Sequence, residues 1–234
     1  MTDSTSKRSF WKTYTPRNIY FEALHRLRSL REGNSSPARP PAAPYNDNHA
    51  ISVGDFYDQY HDKFMTVYGS VIQAFRTKNV GDLLQYQVES MGLARGQRVL
   101  DAGCGVAAPA LYFARHAGVQ VDGLTISRKQ YEAAQRNIAA EGLEDQVSVT
   151  RGDYHCLSAY FAPDSYDVIY FLESLGHSRD KARVLDECWT ILKPGGLLYI
   201  KDLFKRIPIL AEHKKKLPPK SKKSMPRIVM TSLT

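Results

Sequence analysis

The residues best suited to chemistry cluster in one glycine-bearing segment, RVLDAGCGVAAPALYFARHAG, at 98–118. An apolar run reaches Asp101, and Gly103, Gly105 and Ala108 then occupy the three positions of a glycine fingerprint that opens a helix. Such a loop lets bare backbone approach a ligand closely. Charge decides which ligand. Asp101 places a carboxylate where a pyrophosphate would meet repulsion. No Lys or Arg follows in the loop and no G-K-[ST] is present, which excludes a nucleoside-triphosphate cradle. The next apolar run ends in Thr125 and Ser127 instead of the acid that would hold a dinucleotide ribose, and Asp122 stands three residues too early. An acid beside bare backbone suits a ligand with positive charge and no phosphate, such as a sulfonium amino acid with an ammonium group.

Three further groups could join that loop. Asp153 and Tyr154 end the apolar-alternating QVSVTRGDY, and Glu173 and His177 stand in YFLESLGH. Glu173 directly follows the apolar run VIYFL, which puts an acid at a strand end; His177 either acts there or orients the helix that comes next. In FYDQYHDKFMTVYGSVIQAF, Phe56, Tyr60, Phe64 and Tyr68 recur at i, i+4, so one helical stripe carries four aromatics. That stripe serves either as packing or as a cage. Ser127 likewise reads as a ligand contact or as a helix N-cap.

These loops need a scaffold that brings them to one edge. From residue 81 the chain supplies a helix (81–91) and then alternates: RVLDAG, VQVDGLTI, QVSVTRGDY, SYDVIYFLE and GGLLYIKDLF read as strands. AAPALYFARHAG, SRKQYEAAQRNIAAEG and RDKARVLDECWTILK read as helices. Continuous apolar strands alternating with amphipathic helices predict an α/β, Rossmann-like fold, a mainly parallel sheet with helices on both faces. Ligands in such sheets sit beyond the carboxyl ends of the strands, where strand order reverses.

VLDAGCG, GLTISRKQ, RGDY and LKPGG stand in the order and at the spacing of a class I S-adenosylmethionine-dependent methyltransferase, which this chain resembles over about 98–202. The resemblance implies S-adenosylmethionine as cofactor, with Gly103, Cys104 and Gly105 at its homocysteine end and Asp101 near its ammonium. It puts Thr125, Ser127 and Gln130 near the ribose, and Asp153 with Tyr154 at the adenine. GLTISRKQ, the tyrosine-rich 56–69 and YFLESLGH are similar to the branch of sterol, tocopherol and geranyl diphosphate C-methyltransferases and cyclopropane synthases. That likeness implies methylation of a small apolar, isoprenoid- or sterol-like acceptor, with Tyr57, Tyr60 and Tyr68 facing a cation and Glu173 or His177 taking a proton. Two other readings stand beside it: an O- or N-methyltransferase on a polar metabolite, and a non-catalytic protein with this fold. Ala107 and Ala108, where the branch carries glycines, are expected to crowd the ligand.

Composition sets the frame. The 234 residues include three scattered cysteines, which argues against a disulfide framework and a zinc site and for a cytoplasmic setting. No apolar run is long enough to span a membrane. Residues 1–50 carry a net charge of +4, 51–204 of −4 and 205–234 of +8, so the basicity lies in the ends and no nucleic-acid motif accompanies it. The domains expected are a basic extension with a helix at 16–32 and a Pro-rich linker (1–50), a methyltransferase-like domain (51–204) and a Lys/Pro-rich tail (205–234). That tail offers RIVMTSL as one short strand. The sheet is therefore expected to lack the last two strands of the family and its fifth strand to be an exposed edge, which points to a truncated product, a degenerate copy of the family, or a second copy of the chain covering that edge.

Overall fold

The computed structural model describes residues 48–72, 77, 79–202 and 227–231. The helix expected at 16–32, its linker and most of the basic tail lie outside them. In chain order the elements are α1 (Asn48–Tyr68), α2 (Val80–Met91), β1 (Arg98–Ala102), α3 (Ala108–Ala117), β2 (Gln120–Thr125), α4 (Arg128–Glu141) and β3 (Val147–Arg151). Then come a 3-10 turn (Tyr154–Ala159), β4 (Tyr166–Leu172), a second 3-10 turn (Leu175–His177), α5 (Lys181–Ile191), β5 (Leu192–Lys201) and β6 (Arg227–Thr231).

The six strands run in the order β3-β2-β1-β4-β5-β6, every neighbouring pair parallel. From β1 the chain moves outward through β2 and β3, then returns to place β4 on the other side of β1. The reversal opens a crevice beyond the ends of β1 and β4, where a ligand site belongs. Alternation along the strands divides the core in two. Val99, Val121, Val168 and Tyr170 pack with Phe113, Ala134 and Ile138 on one face. Leu100, Leu124, Ile169 and Phe171 pack with Val184, Cys188 and Ile191 on the other. Each fully buried Leu or Ile contributes about 2 kcal/mol, so these two layers fix the strand ends that carry the site.

One expectation is corrected. The fifth strand is not an edge, because β6 pairs with it in parallel from Leu197↔Arg227 to Lys201↔Thr231. The motive for a second copy at that position falls away.

Local signals explain the helix boundaries. Asn79, Ser127 and Asp180 each accept a hydrogen bond from a first-turn N–H of α2, α4 and α5, and Gly92, Gly118 and Gly142 close α2, α3 and α4 in the left-handed conformation. No helix among the described residues is long and apolar enough to cross a membrane.

Candidate cofactor and acceptor site

A cavity opens over the carboxyl ends of β1, β2 and β4, with α1 as its far wall. Its base is the glycine loop. The N–H groups of Gly103 and Cys104 both donate to Leu124 O at 2.9 Å, which folds the loop across the end of β2. The Cys104 side chain is buried and packs against Gly123, where a Cβ would come within 2.9 Å of its sulfur. Gly105 has φ +55, and a Cβ built there would meet no protein atom closer than 4.0 Å, so this backbone faces open cavity. Asp101 is 2% exposed and lines the same cavity. Tyr170 Oη donates to its Oδ2 at 2.8 Å. Burial raises the Asp101 carboxyl to about 7 from its ordinary 3.8, against the lowering effect of that hydrogen bond. No cation acts on it among the described residues, so a ligand ammonium would supply the missing charge. Backbone without a Cβ beside an uncompensated carboxylate fits the amino-acid end of S-adenosylmethionine.

The second loop separates Thr125 and Gln130 from Ser127. Thr125 Oγ1 donates to Gln130 Oε1 at 3.0 Å, and both residues line the cavity. Ser127 does not line it. The serine is fully buried as the N-cap of α4, accepting from Gln130 N at 3.1 Å and donating to Asp58 Oδ1 at 2.5 Å. Asp58 Oδ1 also accepts from Lys129 N at 3.0 Å, so an acid on α1 clasps the amino end of α4. Replacing Asp58 by Ala is expected to cost about 1–2 kcal/mol of α1 docking. Hydrogen exchange of the α1 amides measures this; protection should fall about tenfold in α1 while the strands keep theirs.

The third loop carries Asp153, Tyr154 and His155, all on the cavity wall. Tyr154 Oη donates to Ser174 O at 3.2 Å, which ties this loop to the one after β4. Burial pushes the Tyr154 hydroxyl well above its usual range.

At the mouth, Glu173 sits one residue past β4 with φ +60, a backbone conformation unusual for a non-glycine residue. Lys201 Nζ, at the end of β5, donates to Glu173 Oε1 at 3.2 Å, and both side chains are largely buried. His177 Nε2 lies 2.9 Å from Tyr57 Oη on α1. Burial, then Asp202 and Glu173, raise the Tyr57 hydroxyl to about 12, so it remains a neutral phenol. Tyr57, Tyr68, Glu173 and His177 all face the cavity, together with His61, Phe64 and Met65.

Besides Ser127, two further expectations change. Tyr60 does not line the cavity; it packs on Phe56 with ring centroids 4.9 Å apart and lies under Lys63 Nζ at 5.2 Å. Ala107 and Ala108 do not crowd it either. Ala107 is fully buried in the core at φ +66, and the loop meets the cavity through Val106 and Pro109 instead. Sequence reasoning missed His61 and His155; the i, i+4 relation of His61 to Tyr57 was the signal available for the first.

Comparison with known proteins bears on the family and the fold. A family model described as a methyltransferase domain matches residues 99–196. Methyltransferase GfsG of Streptomyces halstedii is 34% identical over 178 residues, which cover 68% of this chain and 60% of that protein. Sterol 24-C-methyltransferase erg6 of Aspergillus fumigatus is 36% identical over 112 residues, 48% of this chain and 29% of its own length. The chain thus matches less than two thirds of the length of either relative. O-methyltransferase rstn1 of Aspergillus nomiae is 31% identical over 165 residues, covering 66% of this chain and 72% of that one. The crystal structure of the cyclase SpnF superposes with a TM-score of 0.56 at 27% identity, over 64% of this chain and 58% of that one. With the glycine loop and the acid ahead of it inside the matched segment 99–196, the chain belongs to the class I S-adenosylmethionine-dependent methyltransferases, whose sterol-methylating members it resembles in sequence.

Proposed function

We propose that this chain binds S-adenosylmethionine and transfers its methyl group to a carbon of a small, largely apolar acceptor of isoprenoid or sterol type. The observation that carries the reading is the division of one cavity. Asp101, Gly105, Thr125, Gln130 and Asp153 form a polar half, whereas Tyr57, Phe64, Met65 and Tyr68 form an apolar, aromatic wall facing Glu173 and His177. The bound cofactor would supply an electrophilic methyl group. The chain's own residues would hold an alkene carbon in line with it and exclude water. An alkene carbon that received that methyl group would leave positive charge on the acceptor, beside the aromatic wall. The ring faces of Tyr57 and Tyr68 stabilise that charge. Glu173, kept in place by Lys201, then accepts the proton from the adjacent carbon. Three buried, unpaired cysteines fit a reducing, cytoplasmic setting.

The test is incubation with methyl-labelled cofactor and a panel of isoprenoid and sterol acceptors, with the labelled position read by NMR. Label on carbon supports the reading; label on none of the panel sinks it. Glu173→Gln is expected to lower turnover about a hundredfold with S-adenosylhomocysteine affinity within about threefold. Unchanged turnover would remove Glu173 from the proton transfer. A second reading, O-methylation, draws on the similarity to rstn1 and on the Tyr57–His177 pair, which could take a hydroxyl proton. Label on oxygen would select it.

A further inference from the structure

His155 is buried, and nothing in the mechanism above uses it. Its ring bridges two loops. Nδ1 lies 2.6 Å from Asp153 Oδ1, and Nε2 lies 2.7 Å from Ser178 Oγ, just past the 3-10 turn that carries His177. The backbone N–H of His155 donates to the same Asp153 Oδ1 at 2.9 Å. One residue therefore grips one carboxylate oxygen twice. A carboxylate oxygen accepts, so Nδ1 carries a proton and donates to Asp153, while the Ser178 hydroxyl can serve Nε2 as either donor or acceptor. Asp153 Oδ2 takes no hydrogen bond from any described residue, and Asp153 lines the cavity with its side chain 19% exposed.

We infer that His155 is a positioning residue that sets cofactor specificity: it pins Asp153 Oδ1 so that Oδ2 is presented to the cavity as a fixed acceptor for the 6-amino group of adenine. The inference rests on the methyl-donor reading of the cavity. Without the Nδ1–H bond, the carboxylate of Asp153 can turn about its side-chain bonds, and its demand for a donor at one point in space is lost. Hypoxanthine presents an oxygen where adenine presents the amine. A fixed carboxylate oxygen therefore repels the inosyl analogue while it binds the adenosyl one.

The experiment is calorimetry of S-adenosylhomocysteine against S-inosylhomocysteine on the full chain, for the wild type, His155→Asn and His155→Gln. The Asn amide nitrogen stands near the position of Nδ1, whereas that of Gln stands near Nε2. The wild type should prefer the adenosyl ligand by about a hundredfold. The Asn variant should keep most of that preference and the Gln variant should lose about tenfold of it. A role confined to holding the fold would weaken both ligands equally and leave the ratio unchanged. Equal ratios in the wild type and the Gln variant would overturn the inference while leaving the cofactor reading intact. A wild type that binds neither ligand would overturn both. Nitrogen-15 NMR of the wild-type ring needs no variant: a protonated Nδ1 supports the inference, whatever the state of Nε2, and a bare Nδ1 overturns it.

Discussion

Replacing Asp101 by Asn is expected to raise the stability of the ligand-free chain at pH 8 and to weaken binding of S-adenosylhomocysteine by more than about a hundredfold. Both effects come from one buried carboxylate. Burial raises its pKa in the folded chain to about 7, above the ordinary 3.8. Between those values the folded state binds more protons than the unfolded one, so this group's contribution to stability is full below about pH 4 and is lost as pH rises to about 7. The loss is on the order of 4 kcal/mol at most. Asn has no such titration and can still accept from the Tyr170 hydroxyl. The gap in melting temperature between variant and wild type should therefore open from pH 4 to 7 and stay constant above. The ligand reverses the balance, because an ammonium beside Asp101 favours the ionised form that the empty cavity disfavours. At pH 6, binding to the wild type should release protons, read as a calorimetric enthalpy that varies with the ionisation enthalpy of the buffer. Melting curves that coincide at every pH would refute the buried-charge account; full affinity in the Asn variant would refute the ammonium contact.

The parallel sheet was legible in sequence because strand and helix periods are local properties, and the five runs ending at Asp101, Thr125, Arg151, Leu172 and Lys201 carry them. The glycine loop was legible because its charge pattern excludes phosphate. What escaped depends on contacts between distant segments. Ser127 reads equally as a ribose contact or a cap, and it is Asp58, from a helix 69 residues earlier, that makes it a buried clasp. His155 escaped because its second partner, Ser178, lies on another loop, and the local contact to Asp153 alone marks no site. Tyr60 was misplaced by geometry. An i, i+4 row drifts about 40° around a helix at each step, so the row from Phe56 to Tyr68 winds away from any single face. The cavity instead takes Val53, Tyr57, His61, Phe64 and Tyr68, whose mixed steps of four and three stay on one side. The fifth strand's neighbour depended on non-local pairing. RIVMT has strand character on its own, but only the fold shows that it pairs with β5.

Gly103→Ala should destabilise the chain by about 4 kcal/mol, the largest loss expected from adding a single methyl group in this cradle. Two causes combine. Gly103 has φ +101, outside the conformations an alanine adopts without strain. Its added Cβ would also stand 2.4 Å from Ser174 Cβ and 2.7 Å from Ser174 Oγ. Ser174 cannot simply rotate away, because its Oγ donates to Ala102 O at 2.6 Å and its own carbonyl accepts from Tyr154. Any shift of Ser174 would carry Glu173 with it, since the two are consecutive at the end of β4. Strain and collision can be separated by a double-mutant cycle with Ser174→Gly, measured by urea denaturation. Ser174→Gly removes the colliding side chain but leaves φ unchanged, so the double variant should recover about half of the loss. A Gly103→Ala chain within about 1 kcal/mol of the wild type would show that the loop relaxes freely. The glycine would then serve only the ligand. A large loss with no recovery in the double variant would assign it to backbone strain alone. The expected middle result means that Gly103 keeps β1 and β4 close enough for Asp101 and Glu173 to face one cavity, so the loop holds the two halves of the site together before any ligand arrives.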